Sequence, residues 1–347
     1  MYKEMSAQYI IKKKNLIEKL LIYSKECQVY YPIKANSNSK VIRLIDQYVK
    51  GYEVDSVYHL HDLLFKYKVN PDRIIFSALV KSTEVISNVI KWGVKKFVVD
   101  NVLDLENIIS LSQNSTLTFF IRVDVSEFVS ADGLILKWGA TINEVAALKS
   151  IIREKHHNFV GYSFYLPQEI NSVNHIKQVI CSLYDKVGFS DCKYLDIGGG
   201  IDSKDIIDIV NTIEEICGNA VPNIIVEPGR HLLGPCIDLC VTVLAIRFKQ
   251  GKKLVFINSG IYDGLLDVKI KNKRFTILPH KKESDNTDEE CIICGNSADI
   301  SDNLGIYILP KDIEVGDKLL ILNCGAYCSE MDTIFCKNKR ADYKVDS

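Results

Sequence analysis

Short apolar runs alternate with helical stretches through the first two thirds of the chain. Val29–Ile33, Gly51–Val54, Arg73–Phe76, Lys96–Val99, Thr116–Val123, Phe159–Phe164, Lys193–Ile197 and Asn223–Val226 have the length and residue types of buried strands. Between them, Ser39–Tyr48, His59–Tyr67, Ser82–Trp92, Val102–Leu111, Ile142–Lys155 and Ser203–Ile216 repeat their apolar residues at helical spacing. Strands that recur with helices between them pair in parallel through right-handed crossovers. Eight such runs in about 200 residues predict a (β/α)8 barrel over residues 28–234, rather than an open doubly wound sheet.

After Arg230 the rhythm changes. Cys240–Arg247, Lys253–Asn258, Val268–Ile270, Arg274–Leu278, Cys291–Cys294, Gly305–Ile308 and Lys318–Leu322 are short, close together and separated by turn-rich segments. They predict an antiparallel β domain of residues 235–347, joined by residues 1–27. The acidic segment 283–290 reads as a solvated hairpin tip.

Composition narrows the function. The 347 residues are 47% hydrophobic and carry 43 Lys+Arg against 44 Asp+Glu, which gives a large core and no basic excess for nucleic acid or an anionic membrane. No 18-residue apolar run spans a bilayer, and Tyr9–Ile11 followed by Lys12–Lys14 is no secretory signal, so a cytoplasmic location is expected. The eleven cysteines then read as reduced, small apolar residues. Cys291 and Cys294 form a CxxC. A second pair with zinc spacing is missing, since Cys324 and Cys328 stand four apart, so a buried strand is expected there and no metal.

Barrel chemistry gathers at the C-terminal ends of the strands. After the first run comes Tyr31-Pro32-Ile33-Lys34-Ala35-Asn36, where an apolar setting would depress the lysine and leave a reactive amine. After the seventh comes Leu195-Asp196-Ile197-Gly198-Gly199-Gly200-Ile201, whose glycines let backbone N–H groups wrap an anion. After the eighth comes Val226-Glu227-Pro228-Gly229-Arg230, adding a carboxylate and a guanidinium. Loops after strands seven and eight form the usual barrel phosphate site.

These motifs, in this order, resemble the fold-type III pyridoxal 5′-phosphate (PLP) dependent decarboxylases, the family of ornithine, arginine and diaminopimelate decarboxylases. Val54-Asp55-Ser56, Phe76-Ser77 with Lys81, Arg122, Lys137-Trp138-Gly139, Gly161-Tyr162-Ser163-Phe164, Gly260-Ile261-Tyr262, the segment Cys294–Asp302 and Gly325-Ala326-Tyr327 extend the resemblance over most of the chain. It implies a carboxy-lyase acting at Cα of an amino acid or amino-acid conjugate, in a homodimer with shared active sites. It implies that Lys34 holds PLP and that Glu227 faces the pyridine nitrogen. Gly198, Gly199, Gly200, Gly229, Arg230 and Tyr327 would surround the phosphate, and Ser56, Arg122 and Tyr165 would line the cofactor site. Tyr262, Lys269, Lys271 and Asp302 would read the substrate. If a lysine faces the site, a second substrate carboxylate fits better than a terminal amine.

The departures matter as much. Tyr165 replaces the family's stacking histidine, a phosphate-side serine is missing or replaced by Gln168, and His59 replaces a glutamate. Ala298 falls where the family has the cysteine that protonates Cα, which leaves Asp299 first and Ser297 second as surrogate donors, or Cys294 if the loop is shifted. These departures point to a specialised biosynthetic role. They also leave open racemisation, decarboxylation-coupled transamination or oxidative deamination, and a catalytically silent partner-binding homologue.

Overall fold

The computed structural model describes residues 6–112, 115–129, 136–167, 172–218, 222–280, 287–335 and 341–346. Gln168, Cys336 and residues 283–286 of the expected hairpin tip lie outside them. Two compact units emerge: one of residues 18–34 and 45–231, the other of residues 1–17, 35–44 and 232–347.

The first unit is a closed barrel of eight parallel strands. The chain's first strand, β1 (Gln8–Ile11), belongs to the other unit. The barrel strands are β2 (Gln28–Pro32), β3 (Gly51–Val54), β4 (Ile74–Phe76), β5 (Lys96–Val99), β6 (Thr118–Arg122), β7 (Asn158–Ser163), β8 (Tyr194–Asp196) and β9 (Asn223–Val226). Closure comes from Gln28 pairing with Ile225 and Val29 with Val226. Every run expected for the barrel became a strand because each is mostly apolar, as burial on both sides favours, with Glu53 and Asp196 as charged exceptions.

Tyr30, Ile75, Val98, Phe120 and Ile225 belong to one buried apolar cluster. Glu53 pairs in register with Ile75, and Asp196 with Ile225. Register partners point to the same side of a sheet, so both carboxylates share the side of that cluster. Local capping sets the helices that return the chain to the next strand. The side chains of Ser82, Asn101 and Ser172 cap helices Thr83–Lys91, Val102–Ser110 and Val173–Val187, and Thr141 with Glu144 forms a full capping box for Ile142–Glu154.

The expected helix at 59–67 starts earlier, at Val57, because the Ser56 hydroxyl accepts the His59 N–H. It runs to His61 and continues as a wider π turn over Asp62–Lys66.

The second unit holds an eight-stranded sheet with β10 (Ile237–Lys249), β11 (Lys252–Ile257), β12 (Ile277–Pro279), β13 (Asp288–Cys294), β14 (Asn303–Pro310), β15 (Lys318–Ile321) and β16 (Asp342–Val345). The path β12-β15-β10-β11-β13-β14 is mostly antiparallel, as expected, but β11 pairs with β13 and β1 with β16 in parallel. Cys291 and Cys294 lie in β13, where burial pushes the Cys291 thiol up to about 11. Val268–Ile270 is no strand. Asp267–Ile270 closes one helical turn, with the Lys271 and Lys273 N–H groups both donating to the Asp267 carbonyl. Among the described residues no helix is long and apolar enough to cross a membrane.

Candidate active site

Lys34 sits in the single 3-10 turn Ile33–Ala35 that follows β2. Its Nζ lies 2.9 Å from Glu53 Oε1 and 3.1 Å from Asp55 Oδ2. Glu53 and Asp55 are alternate residues at the end of β3, so their side chains leave the strand on one side. The Ser77 hydroxyl, past β4, donates to the same Glu53 oxygen. Burial alone pulls the Lys34 ammonium down, but Glu53, Asp55 and Glu227 push it up, and the net result lies well above an ordinary lysine. The sequence reading expected the opposite sign. It counted the apolar neighbours and missed the carboxylates, which other strands bring in.

Glu227, just past β9, is hydrogen-bonded to the buried carboxyl of Asp196 at the end of β8. Burial raises both; Asp196 and Glu53 raise Glu227 further, whereas Asp196 is raised by Glu53 and lowered by the Gly198 N–H and the Glu227 hydrogen bond. Asp196 Oδ1 also accepts the Gly198 N–H at 2.9 Å, which turns the glycine loop inward, and the Glu227 N–H donates to the Gly198 carbonyl at 2.9 Å. Gly198 and Gly200 have φ of +68° and +89°, a region open to glycine. A Cβ on Gly199 would lie 2.6 Å from the Glu227 carbonyl oxygen. The loop and the carboxylate are therefore fixed to each other.

Around them stand the other barrel residues. The Arg122 guanidinium lies 5.9 Å from the centroid of the Tyr165 ring, itself 39% exposed. Ser163, at the end of β7, is buried, and its hydroxyl has no hydrogen-bond partner among the described residues. Ser56 Oγ is 3.0 Å from His59 Nδ1 in addition to capping its helix. Gly229 ends the turn after Glu227, and Arg230 opens the short helix Arg230–Leu233.

The sheet unit gathers a second group. Tyr262 stacks at a tilt on Phe335, with ring centroids 4.7 Å apart, and its hydroxyl hydrogen-bonds Asp299. The backbone N–H of Ser301, followed by its hydroxyl, Tyr262 and the charge of Lys269, holds the Asp299 carboxyl below the usual range. Asp299 is thus held as a carboxylate. Ser297 Oγ is buried with no hydrogen-bond partner among the described residues. Asp302 is 4% exposed, and its carboxylate accepts the Ile261 N–H at 2.8 Å and the Ser297 N–H at 3.1 Å. It ties the Gly260 turn to the Gly295 turn. Lys269 and Lys271 are exposed. Tyr327 has φ +65° and donates its N–H to the Ala35 carbonyl at 2.7 Å, beside Asn36, whose amide donates to the Gly325 carbonyl at 2.9 Å.

Sequence reasoning singled out neither Glu53 nor Asn36, nor Asp196 as a site residue. A charged residue inside an otherwise apolar strand run was the available signal for Glu53 and Asp196.

Residues 7–234 match the family model for the pyridoxal binding domain of pyridoxal-dependent decarboxylases. The chain is 26% identical to an ornithine decarboxylase of Schizosaccharomyces pombe, covering 86% of this chain and 73% of that protein. It is 24% identical to a diaminopimelate decarboxylase of Aquifex aeolicus, over 96% of this chain and 84% of that one. The crystal structure of a diaminopimelate decarboxylase from Helicobacter pylori complexed with L-lysine superposes with a TM-score of 0.87 at 21% identity, covering 100% of this chain and 93% of that chain. Strand order, strand-end chemistry and the family match agree: the chain is a pyridoxal-dependent decarboxylase family member, with pyridoxal 5′-phosphate as its cofactor.

Proposed function

We propose that this chain removes CO2 from Cα of an amino acid or amino-acid conjugate, in the cytoplasm and in a specialised biosynthetic pathway. One observation carries the reading: a strand-end lysine set among carboxyls, two of them buried, beside a glycine loop. Glu53 Oε2 and Ser163 Oγ are buried polar atoms with no hydrogen-bond partner among the described residues. Glu53, Asp55, Asp196 and Glu227 outnumber the cations Lys34 and Arg122, so the site suits a ligand that brings a protonated ring nitrogen. A Cβ on Gly198 or Gly199 would run into the backbone carbonyl oxygen of Phe164 or Glu227, so the turn of this loop needs glycine there. The residues therefore fit pyridoxal 5′-phosphate.

Bound there, the cofactor supplies a carbonyl that condenses with amines and a ring that accepts the electron pair left at Cα. Lys34 holds the carbonyl end. Glu227 would hold a proton at the ring nitrogen, and Asp196 hydrogen-bonds Glu227. Gly198, Gly199, Gly200, Gly229 and Arg230 would take the phosphate through backbone donors and charge. Tyr165, beside Arg122, would be available to pack on the cofactor, and Ser56 would line the site. A homodimer would let the sheet unit of one copy offer Tyr262, Ser297 and Lys269 to the other copy's site. The exposure of Lys269 and Lys271 favours a substrate with a second carboxylate.

Ala298 supports a second reading, in which CO2 is lost but part of the product is a carbonyl compound. The test is mass spectrometry of products from a panel of amino acids and conjugates, run with wild type and Lys34→Ala. The expected result is loss of CO2 with wild type alone. Turnover by Lys34→Ala, or none by wild type on any carboxylate, overturns the proposal.

A further inference from the structure

Lys34 has two carboxylate partners that differ in one physical respect. The Glu53 side chain is 3% exposed and is held by Ser77, whereas the Asp55 side chain is 36% exposed and open to an incoming molecule. When Lys34 Nζ becomes bonded to a carbonyl carbon it loses its ammonium charge. Glu53 then keeps the Ser77 hydroxyl, while Asp55 is left as a carboxylate at the accessible side of that nitrogen. Resting on the function proposed above, we propose that Asp55 is the proton carrier of the amine exchange at Lys34: it accepts protons from the entering substrate ammonium and returns them to Lys34 as Lys34 leaves.

The step balances. The entering nitrogen bonds to the carbon that Lys34 held, and the bond from that carbon to Lys34 Nζ breaks. Every proton shed by the entering nitrogen ends on Nζ, carried one at a time by an Asp55 oxygen 3.1 Å away, and Lys34 departs as an ammonium paired with both carboxylates. No oxidant or other reactant is needed. The charged groups facing Lys34 are Glu53 and Asp55 from the β3 end and Glu227 after β9. Glu227 faces Asp196 of β8, whose charge Arg122 of β6 also feels. Asp55 alone in this set combines contact with Nζ and substantial exposure.

Trace acetylation of Lys34 in the PLP-free chain, followed by mass spectrometry of its peptide across a pH series, reads the lysine directly. Lys25, whose side chain is 80% exposed, serves as internal reference. Asp55→Asn is expected to speed labelling of Lys34 at pH 8 by about tenfold, because one opposing charge within ion-pair distance shifts a group by a unit or more. In the PLP-loaded protein, displacement of Lys34 by glycine, followed by absorbance, is expected to slow at least tenfold in Asp55→Asn and to recover in Asp55→Glu. Superposable labelling profiles, or displacement at the wild-type rate, overturn the proposal. Circular dichroism checks folding, and Asp55→Ser repeats both readings should Asp55→Asn not fold. A wild-type chain that takes up no PLP while the labelling shift is present overturns the proposed function but supports the Lys34–Asp55 coupling.

Discussion

The carboxyls of Asp196 and Glu227, at the ends of neighbouring barrel strands, are hydrogen-bonded to each other inside the protein, so one proton serves both. Lys34 and Arg122 offset only part of the charge, and a shared proton lowers the cost of holding two acids side by side. Glu227→Gln is expected to keep cofactor bound yet lower turnover by about 10²–10³-fold, typical for loss of one electrostatic contact in a closed site. Cofactor absorbance and steady-state rates check both halves.

The same pair sets a pH dependence in the cofactor-free chain. Both folded-state pKa values are raised, so the unfolded chain releases these protons first. Their stabilising contribution is complete below the ordinary carboxylate range and is lost as pH rises through the raised folded values. Lys34 is raised as well, but its loss falls at alkaline pH, above the ordinary lysine value. Thermal unfolding midpoints of wild type should therefore decline from pH 5 to pH 9, and less steeply in Glu227→Gln. Equal slopes would remove the shared proton from the account.

Gly199→Ala would drive a methyl group to 2.6 Å from the Glu227 carbonyl oxygen, a backbone atom that cannot rotate away. Overpacking of this kind costs about 1–3 kcal/mol. The strain falls on the loop proposed to take the phosphate, so PLP affinity should drop with stability, as titration and thermal melts would record.

Asp302→Asn tests whether that residue has a structural duty. Its carboxylate oxygens accept from Ile261 and Ser297, and an amide would turn one acceptor into a donor facing an N–H. A loss of about 1–3 kcal/mol is expected. An unchanged melting temperature would free Asp302 for substrate reading alone.

For the loop carrying Ala298, the proposed chemistry makes a distinctive demand on products. Proton delivery to Cα gives an amine, and a positioned acid is worth ~10²–10⁴-fold. With Asp299 held as a carboxylate, Ser297→Ala should raise the share of carbonyl product and Asp299→Asn should leave the ratio unchanged. Ala298→Cys should raise the share of amine. No change in ratio or rate across all three would take this loop away from the reaction centre.

The eight barrel strands were legible in the sequence because a strand buried on both faces is mostly apolar, and helices between such strands leave only parallel pairing. The residues after β2, β8 and β9 were legible too, since Lys34, Gly198–Gly200 and Glu227 interrupt apolar runs with chemistry a strand has no use for. Val268–Ile270 misled because three residues do not distinguish period 2 from period 3.6; closure on the Asp267 carbonyl made them a helical turn. Local sequence also gave the wrong sign for Lys34. Its charge is set by Glu53, Asp55 and Glu227, residues 19 or more positions away that the closed barrel brings to one end, and Coulomb energy depends on distance in space, not along the chain.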